Sequence, residues 1–120
     1  MTRKDKSDRE PLGDALLHKI AAWFRALSEP SRLRLLELLC DGEHSVNDLA
    51  TAAGLSPAHA SKHLSLLCAA GQVKRRKDGT AVRYALADDT VREMCDLVCR
   101  RMQKAARAEA QTLTGRGFAE

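Results

Sequence analysis

The chain has 120 residues, of which 44% are hydrophobic and 30% charged, a balance typical of one small globular domain. Aromatic residues make up only 3%, so Leu, Val and Ala must supply most of the core. The net charge is +4, no apolar run reaches the about 20 residues that span a bilayer, and the charged start MTRKDKSDRE lacks the apolar segment of a signal peptide. We therefore expect a cytoplasmic protein with no membrane partner.

The two ends of the chain lack hydrophobic periodicity, which predicts a disordered arm over residues 1–10 and a flexible tail over 112–120. Residues 11–111 then form one domain. Its first helix is predicted from Leu12, because apolar residues recur three and four positions apart. They are Leu16, Leu17, Ile20, Ala21, Phe24 and Leu27.

The next three helices are predicted from their start and stop residues. Pro30 suits a first helical turn, and the leucines after it carry a second helix to Cys40. Ser45, with Asp48 three residues later, resembles a capping box and opens a short helix that Gly54 closes. Ser56 repeats the start signal, and Gly71 is a natural left-handed end. Two short helices around a tight turn form a helix-turn-helix.

The rhythm changes after Gly71. Alternating residues from Gln72 to Leu86, around Asp78-Gly79, predict a two-stranded β-hairpin, or wing. Helical spacing returns from Ala87 to Glu109, with an apolar stripe of Val91, Met94, Val98, Met102 and Ala105. Because a small domain cannot cover this stripe alone, we expect a homodimer through the first and last helices. The predicted fold is mainly α, a winged helix-turn-helix of about five helices plus the hairpin.

The second helix of this motif has the composition of a helix that reads double-stranded DNA. Its small and polar residues let it enter a major groove about 12 Å wide, and the wing adds polar groups for adjacent phosphates. The candidate DNA-binding residues are Ser56, Ala58, His59, Ser61, Lys62, His63, Lys77, Thr80 and Arg83. Either element alone could equally be a solvated surface, but their order along the chain makes the combination specific.

Four segments, LSEPSRLRLLELL, SVNDLA, SPAHASKHLSLL and DGTAVRYAL, resemble the second helix, third helix, recognition helix and wing of the ArsR/SmtB family of metal-responsive repressors. The resemblance covers roughly residues 12–107. It implies a homodimer that occupies a pseudo-palindromic operator without a cofactor and leaves when an inducer binds. Half-sites one DNA turn apart, about 34 to 36 Å, would suit such a dimer.

The sequence departs from the family at its known inducer sites. Arsenic- and cadmium-sensing relatives carry ELCVCDLA where this chain has EHSVNDLA, so both cysteines of that box are absent. The final helix contains no histidine, which removes support for the site of the zinc-sensing relatives. The inducer must therefore be sought elsewhere in the chain.

The four cysteines are predicted to be reduced thiols, because nothing indicates export. Cys95 and Cys99 are four residues apart on one helix face, with Cβ atoms about 5 to 6 Å apart. A disulfide needs Cβ atoms about 3.8 Å apart, whereas a soft ion can bridge the wider gap. We expect an inducer of the arsenite, cadmium or mercury class at Cys95 and Cys99, with Cys40 as third ligand.

Several alternatives stay open at this point. The thiols could simply fill space in the core, which is the simplest view of Cys68, and His44 is more simply a solvated histidine than a zinc ligand. A persulfide or oxidant could instead link Cys40 and Cys99. A small thiol enzyme is the least supported class, because no C-x-x-C motif, glycine-rich anion loop or activating group accompanies Cys95 or Cys99.

Overall fold

The computed structural model describes residues 10–119, with side chains as far as Thr112. Its elements in chain order are α1 (Asp14–Ala26), α2 (Pro30–Leu39), β1 (His44–Ser45), α3 (Val46–Ala53), α4 (Pro57–Ala69), β2 (Val73–Asp78), β3 (Ala81–Leu86) and α5 (Asp89–Ala119). The five helices and the wing confirm the predicted winged helix-turn-helix. No helix in this range is long and apolar enough to cross a membrane.

The predicted ends of the domain fall largely beyond the described residues. All of the disordered arm except Glu10 lies outside them, and so do the side chains beyond Thr112. The backbone of α5 continues to Ala119, past Glu109 where the apolar stripe was expected to end. The arm and the tail therefore stay predictions.

The helix starts follow the capping residues that the sequence indicated. Ser45 Oγ accepts a hydrogen bond from the Asp48 N–H at 3.1 Å, and Ser56 Oγ accepts one from the His59 N–H at 3.1 Å. Gly54 ends α3 with φ +70°, in the left-handed region that glycine enters without steric cost. At the start of α2, the Glu29 carboxylate accepts from the Arg32 N–H at 3.0 Å, a cap that the sequence analysis missed.

The sheet has three antiparallel strands in the order β1-β3-β2. The hairpin β2–β3 pairs Val73 with Leu86 and Asp78 with Ala81, which leaves Gly79 and Thr80 as a two-residue turn. The third strand, β1, is only two residues long and pairs with β3 through His44 and Ser45. The expectation of a two-stranded wing was incomplete, because a two-residue strand has no detectable alternation in sequence.

The start of α5 also differs from the prediction. The helix begins at Asp89 and not at Ala87, because the Ala87 N–H is used to extend the hairpin by donating to the Gln72 carbonyl at 3.0 Å. Asp88 then turns the chain, its carboxylate accepting from the Thr90 N–H at 2.9 Å.

One core joins α2, α3, α4, the wing and the start of α5. Its buried members are Leu35, Leu36, Leu39, Leu49, Leu64, Leu67, Val73, Tyr84 and Val91. Gln72 is a buried polar side chain among them: its Nε2 donates to the Trp23 carbonyl of α1 at 2.8 Å, while its Oε1 has no partner within the described part of the chain. Its backbone N–H donates to Leu67 at the end of α4 at 3.0 Å. Gln72 thus connects α1, α4 and the hairpin.

A single protomer leaves α1 poorly covered. None of the residues of α1 is buried, and large apolar side chains of α1, its approach and α5 are exposed. They are Leu12, Leu16, Leu17, Phe24, Leu97, Val98 and Met102. The stripe on α5 is accordingly buried at Val91 and open to solvent at Met102.

Candidate nucleic-acid interface and thiol cluster

The recognition helix α4 is seated by an apolar face and presents a polar one. Ala60, Leu64 and Leu67 are fully buried in the core, and this fixes the rotation of the helix about its axis. The predicted DNA-facing residues on the opposite side are exposed: Ser56, Ala58, His59, Ser61 and Lys62. The polar face is thus free to meet a nucleic acid.

Ser56 and His59 form a local hydrogen-bonded pair at the start of α4. Besides capping the helix, Ser56 Oγ lies 2.9 Å from Nδ1 of His59. This contact occupies one ring nitrogen and leaves Nε2 of His59 available to an external partner. The imidazole is therefore held in place on the exposed face before anything binds.

His63 lies differently from the other predicted DNA-facing residues. Its side chain is only 20% exposed, with Nδ1 3.4 Å from Nη1 of Arg32 and Nε2 3.9 Å from the Glu29 carboxylate. Arg32 in turn donates from Nε to the Ala26 carbonyl at 2.7 Å, at the end of α1. His63 thus joins α4 to the α1–α2 corner, and its contact with DNA stays a prediction.

The wing places its three predicted residues on different sides. Lys77 and Thr80 are exposed and Arg83 is partly exposed. Lys77 is paired with Val82, on the face of the hairpin that also carries Tyr84, whereas Arg83 is paired with Arg76 on the opposite face. Lys77 and Arg83 therefore cannot contact the same phosphate group through one face of the hairpin.

Glu43, which the sequence analysis did not single out, forms an ion-pair cluster on the face of Arg83. Its carboxylate accepts from Arg76 Nη2 at 2.6 Å and Nε at 3.1 Å, and lies 3.7 Å from Nε of Arg83. The Arg76 hydrogen bond, with the charges of Arg76, Arg83 and Lys74, holds the pKa of the Glu43 carboxyl below its ordinary value. The signal was hidden because Glu43 precedes the unpredicted strand β1.

Three of the four thiols lie where α2 meets α5. Cys40 caps α2, and its carbonyl accepts a hydrogen bond from Arg92 Nη1 of α5 at 2.7 Å. Burial raises the pKa of the Cys95 thiol, and the charges of Cys40 and Cys99 raise it further. Burial also raises the pKa of Cys40. The thiol of Cys95 is thus close enough to both other thiols to sense their charge.

These thiols do not form a complete metal-binding set by themselves. Among the described residues, no group of three or more His, Cys, Asp or Glu side chains is arranged to hold a metal ion. Cys40 and Cys95 are partly buried and Cys99 is exposed. Two-thiol binding centred on Cys95 therefore fits this arrangement better than a preformed three-thiol site.

The two remaining candidates lie apart from this cluster. Cys68, near the end of α4, packs against the core, and burial raises the pKa of its thiol. The charge that lowers this pKa comes from Arg75 of the wing. His44 lies in β1 opposite Tyr84. Neither residue is placed to join Cys40 and Cys95.

A helix-turn-helix with an exposed polar second helix, a basic hairpin and an uncovered first helix defines the winged helix-turn-helix class. Residues 29–75 match the family model described as "Bacterial regulatory protein, arsR family". The transcriptional regulator KmtR of Mycobacterium tuberculosis is 36% identical over 88 residues, which are 73% of this chain and 68% of the relative. The chain belongs to the ArsR family.

Two further comparisons agree. A protein of Streptomyces lividans described as "Probable mercury resistance operon repressor" is 39% identical over 74 residues, 62% of this chain and 59% of the relative. A homodimeric winged helix-turn-helix DNA-binding domain from Mycobacterium bovis superimposes with a TM-score of 0.75 and 32% identity, covering 83% of this chain and 95% of that one. These proteins are regulators or parts of regulators, which argues against the thiol-enzyme alternative.

Proposed function

We propose that this protein is a homodimeric transcriptional repressor that binds a pseudo-palindromic DNA operator and is released from it by a soft metal or metalloid ion at Cys95. The observation that carries the DNA-binding part is the orientation of α4. Its buried residues are Ala60, Leu64 and Leu67, and its exposed face carries small and polar residues that fit a major groove.

The homodimer rests on the uncovered surfaces of α1 and α5. A 13-residue helix that buries no residue within its own protomer needs another apolar surface for stability. The exposed stripe at Val98 and Met102 on α5 provides one. A second copy, brought together through a two-fold axis, covers both helices and presents two recognition helices to one duplex. The Mycobacterium bovis domain is described as a homodimer, which supports the same arrangement here.

DNA binding is tested by titrating the protein into duplex DNA from its own promoter region at several salt concentrations. If Lys62 contacts a phosphate, Lys62→Gln reduces the slope of log affinity against log salt by about 0.9 per site. Lys104→Gln, on the exposed surface of α5, is the matched control and leaves the slope unchanged. A wild-type protein that binds no such duplex, at any salt, refutes the repressor function.

The inducer proposal rests on the three thiols at the α2–α5 contact. Thiolates are the ligands that soft ions prefer, and Cys95 senses the charge of both Cys40 and Cys99. The thiols are protonated at neutral pH because burial raises the pKa of Cys40 and Cys95, which disfavours spontaneous reaction with persulfides or oxidants. The Streptomyces lividans relative, described in terms of mercury resistance, supports an ion of this class.

Release from DNA follows from a coupling between the thiol cluster and the dimer helix. Cys95 and Cys99 lie on α5, so an ion that draws Cys40 towards them changes the α2–α5 contact and the spacing of the two recognition helices. A coupling of about 1 to 3 kcal/mol lowers operator affinity about 5- to 150-fold. The same ion must then bind more weakly to the DNA-bound protein by the same factor.

The inducer is tested by adding arsenite, cadmium, mercury, zinc or a persulfide donor to the DNA complex, with each cysteine replaced by serine in turn. We expect release by a soft ion that is lost in Cys95→Ser and kept in Cys68→Ser. Release by the persulfide donor alone, with a Cys40–Cys99 polysulfide or disulfide link found by mass spectrometry, would replace the metal proposal. No release by any of them refutes thiol sensing.

A further inference from the structure

The outer face of the wing carries more positive charge than its role in the fold requires. Lys74 and Arg76 on β2 and Arg83 on β3 point to the same side, because Arg76 is paired with Arg83 and Lys74 with Ala85. The opposite face of the hairpin holds the core residues Val73 and Tyr84. Three cations thus share the side of the hairpin that faces away from the core.

One carboxylate lies among these cations. Glu43 binds Arg76 through both of its oxygens, at 2.6 and 3.1 Å, in the fork geometry that guanidinium groups also use for phosphate. The same carboxylate lies 3.7 Å from Arg83, whose Nη2 also approaches the Glu43 carbonyl at 3.4 Å. One negative charge therefore occupies donors of two arginines.

We propose that Glu43 is an intramolecular competitor of DNA phosphate, which holds Arg76 and Arg83 in place on the free wing and gives them up to the DNA backbone on binding. This inference rests on the proposed DNA-binding function and adds Lys74 and Arg76 to the residues that contact DNA. A carboxylate and a phosphate offer the same type of oxygen acceptor, so the exchange replaces one charge-assisted contact by another.

Solvent access makes the exchange feasible. The side chains of Arg76 and Glu43 are 50% and 36% exposed, so the pair can open without uncovering any part of the core. Exposed ion pairs stabilise a fold little, and loss of this one leaves the wing attached through β1, β3 and Tyr84. The cost of opening therefore falls on DNA affinity and hardly on stability.

The test compares operator binding of wild-type protein, Glu43→Gln, Arg76→Gln and the double variant across a range of salt concentrations. We expect Glu43→Gln to tighten binding about two- to five-fold near 0.1 M salt, the range that exposed ion pairs span. The slope of log affinity against log salt should steepen by about 0.9 for each additional phosphate that the dimer neutralises. In the Arg76→Gln background, less than half of the increase in log affinity should remain.

Asp78→Asn is the matched control, because it removes another wing carboxylate that makes no hydrogen bond to Arg76. It should change affinity less than Glu43→Gln does. Equal tightening by both variants, or the same increase with and without Arg76, means that the effect is only net charge and overturns the inference. Unchanged or weaker binding by a folded Glu43→Gln protein also overturns it, while wild-type binding would leave the repressor function standing.

Discussion

The number of thiols that hold the inducer can be counted from the pH dependence of its affinity. Each thiol that binds a metal as thiolate releases a proton. Burial raises the pKa of Cys40 and Cys95, so between about pH 6 and 8 both are protonated in the free protein, below the usual thiol value of about 8.5. The affinity must therefore rise with pH over this whole interval.

The size of the rise follows from the number of protons displaced. One proton per thiol changes the affinity about tenfold per pH unit, which is about 1.4 kcal/mol. Two thiols give about 100-fold per pH unit, and three give about 1,000-fold. Since Cys40 and Cys95 are the partly buried pair and Cys99 is exposed, we expect a slope of two log units per pH unit.

The measurement is a cadmium competition titration against a chelator of known proton affinity, at constant ionic strength and chloride. Cys95→Ser should lower the slope by one unit, and Cys99→Ser should leave it unchanged if the site has two thiols. Cys68→Ser is the matched control, because burial raises the pKa of that thiol too and it lies apart from the cluster. A slope below one in the wild type, or a slope that ignores Cys95→Ser, refutes the reasoning.

Three further predictions concern the fold and its assembly. Gly54→Ala should destabilise the protein by about 1 kcal/mol, because φ is +70° with no described atom within 4 Å of the added Cβ; Gly13→Ala, also without a contact there but at φ −70°, should not, and equal melting temperatures would contradict this. Leu36→Ala should cost about 2 to 5 kcal/mol in urea unfolding at fixed concentration, since Leu36 is fully buried; a loss below 1 kcal/mol would show that this part of the core is not packed as described. Met102→Glu should give a monomer by sedimentation, whereas Leu66→Glu, an equally apolar but distant exposed site, should remain dimeric; a dimeric Met102→Glu would place the interface elsewhere.

The helices could be predicted from the sequence because their ends are local. Ser45, Ser56 and Gly54 act within one turn of the chain, through a hydroxyl oxygen or a positive φ, and the structure has each of them in the expected place. The buried face of α4 also followed from spacing alone. These features depend on neighbours three or four residues away, which the sequence itself contains.

The missed features all depend on distant partners. Strand β1 exists only because His44 and Ser45 meet β3 about 40 residues later, and the Glu43–Arg76 pair joins residues 33 positions apart. His63 lies against Arg32 and Glu29 for the same reason. Local pattern gives such polar residues no partner, so His63 was grouped with the exposed face and Glu43 was overlooked.

Gln72 sets how a signal can travel in this molecule. A single residue holds the last turn of α4 through its N–H, the end of β3 through its carbonyl and the Trp23 carbonyl of α1 through its amide. The groove-reading segment, the hairpin and the helix at the two-fold contact are thereby locked into one rigid unit. A regulator built this way answers its inducer by turning whole subunits against each other, and the spacing between half-sites becomes the quantity that the cell controls.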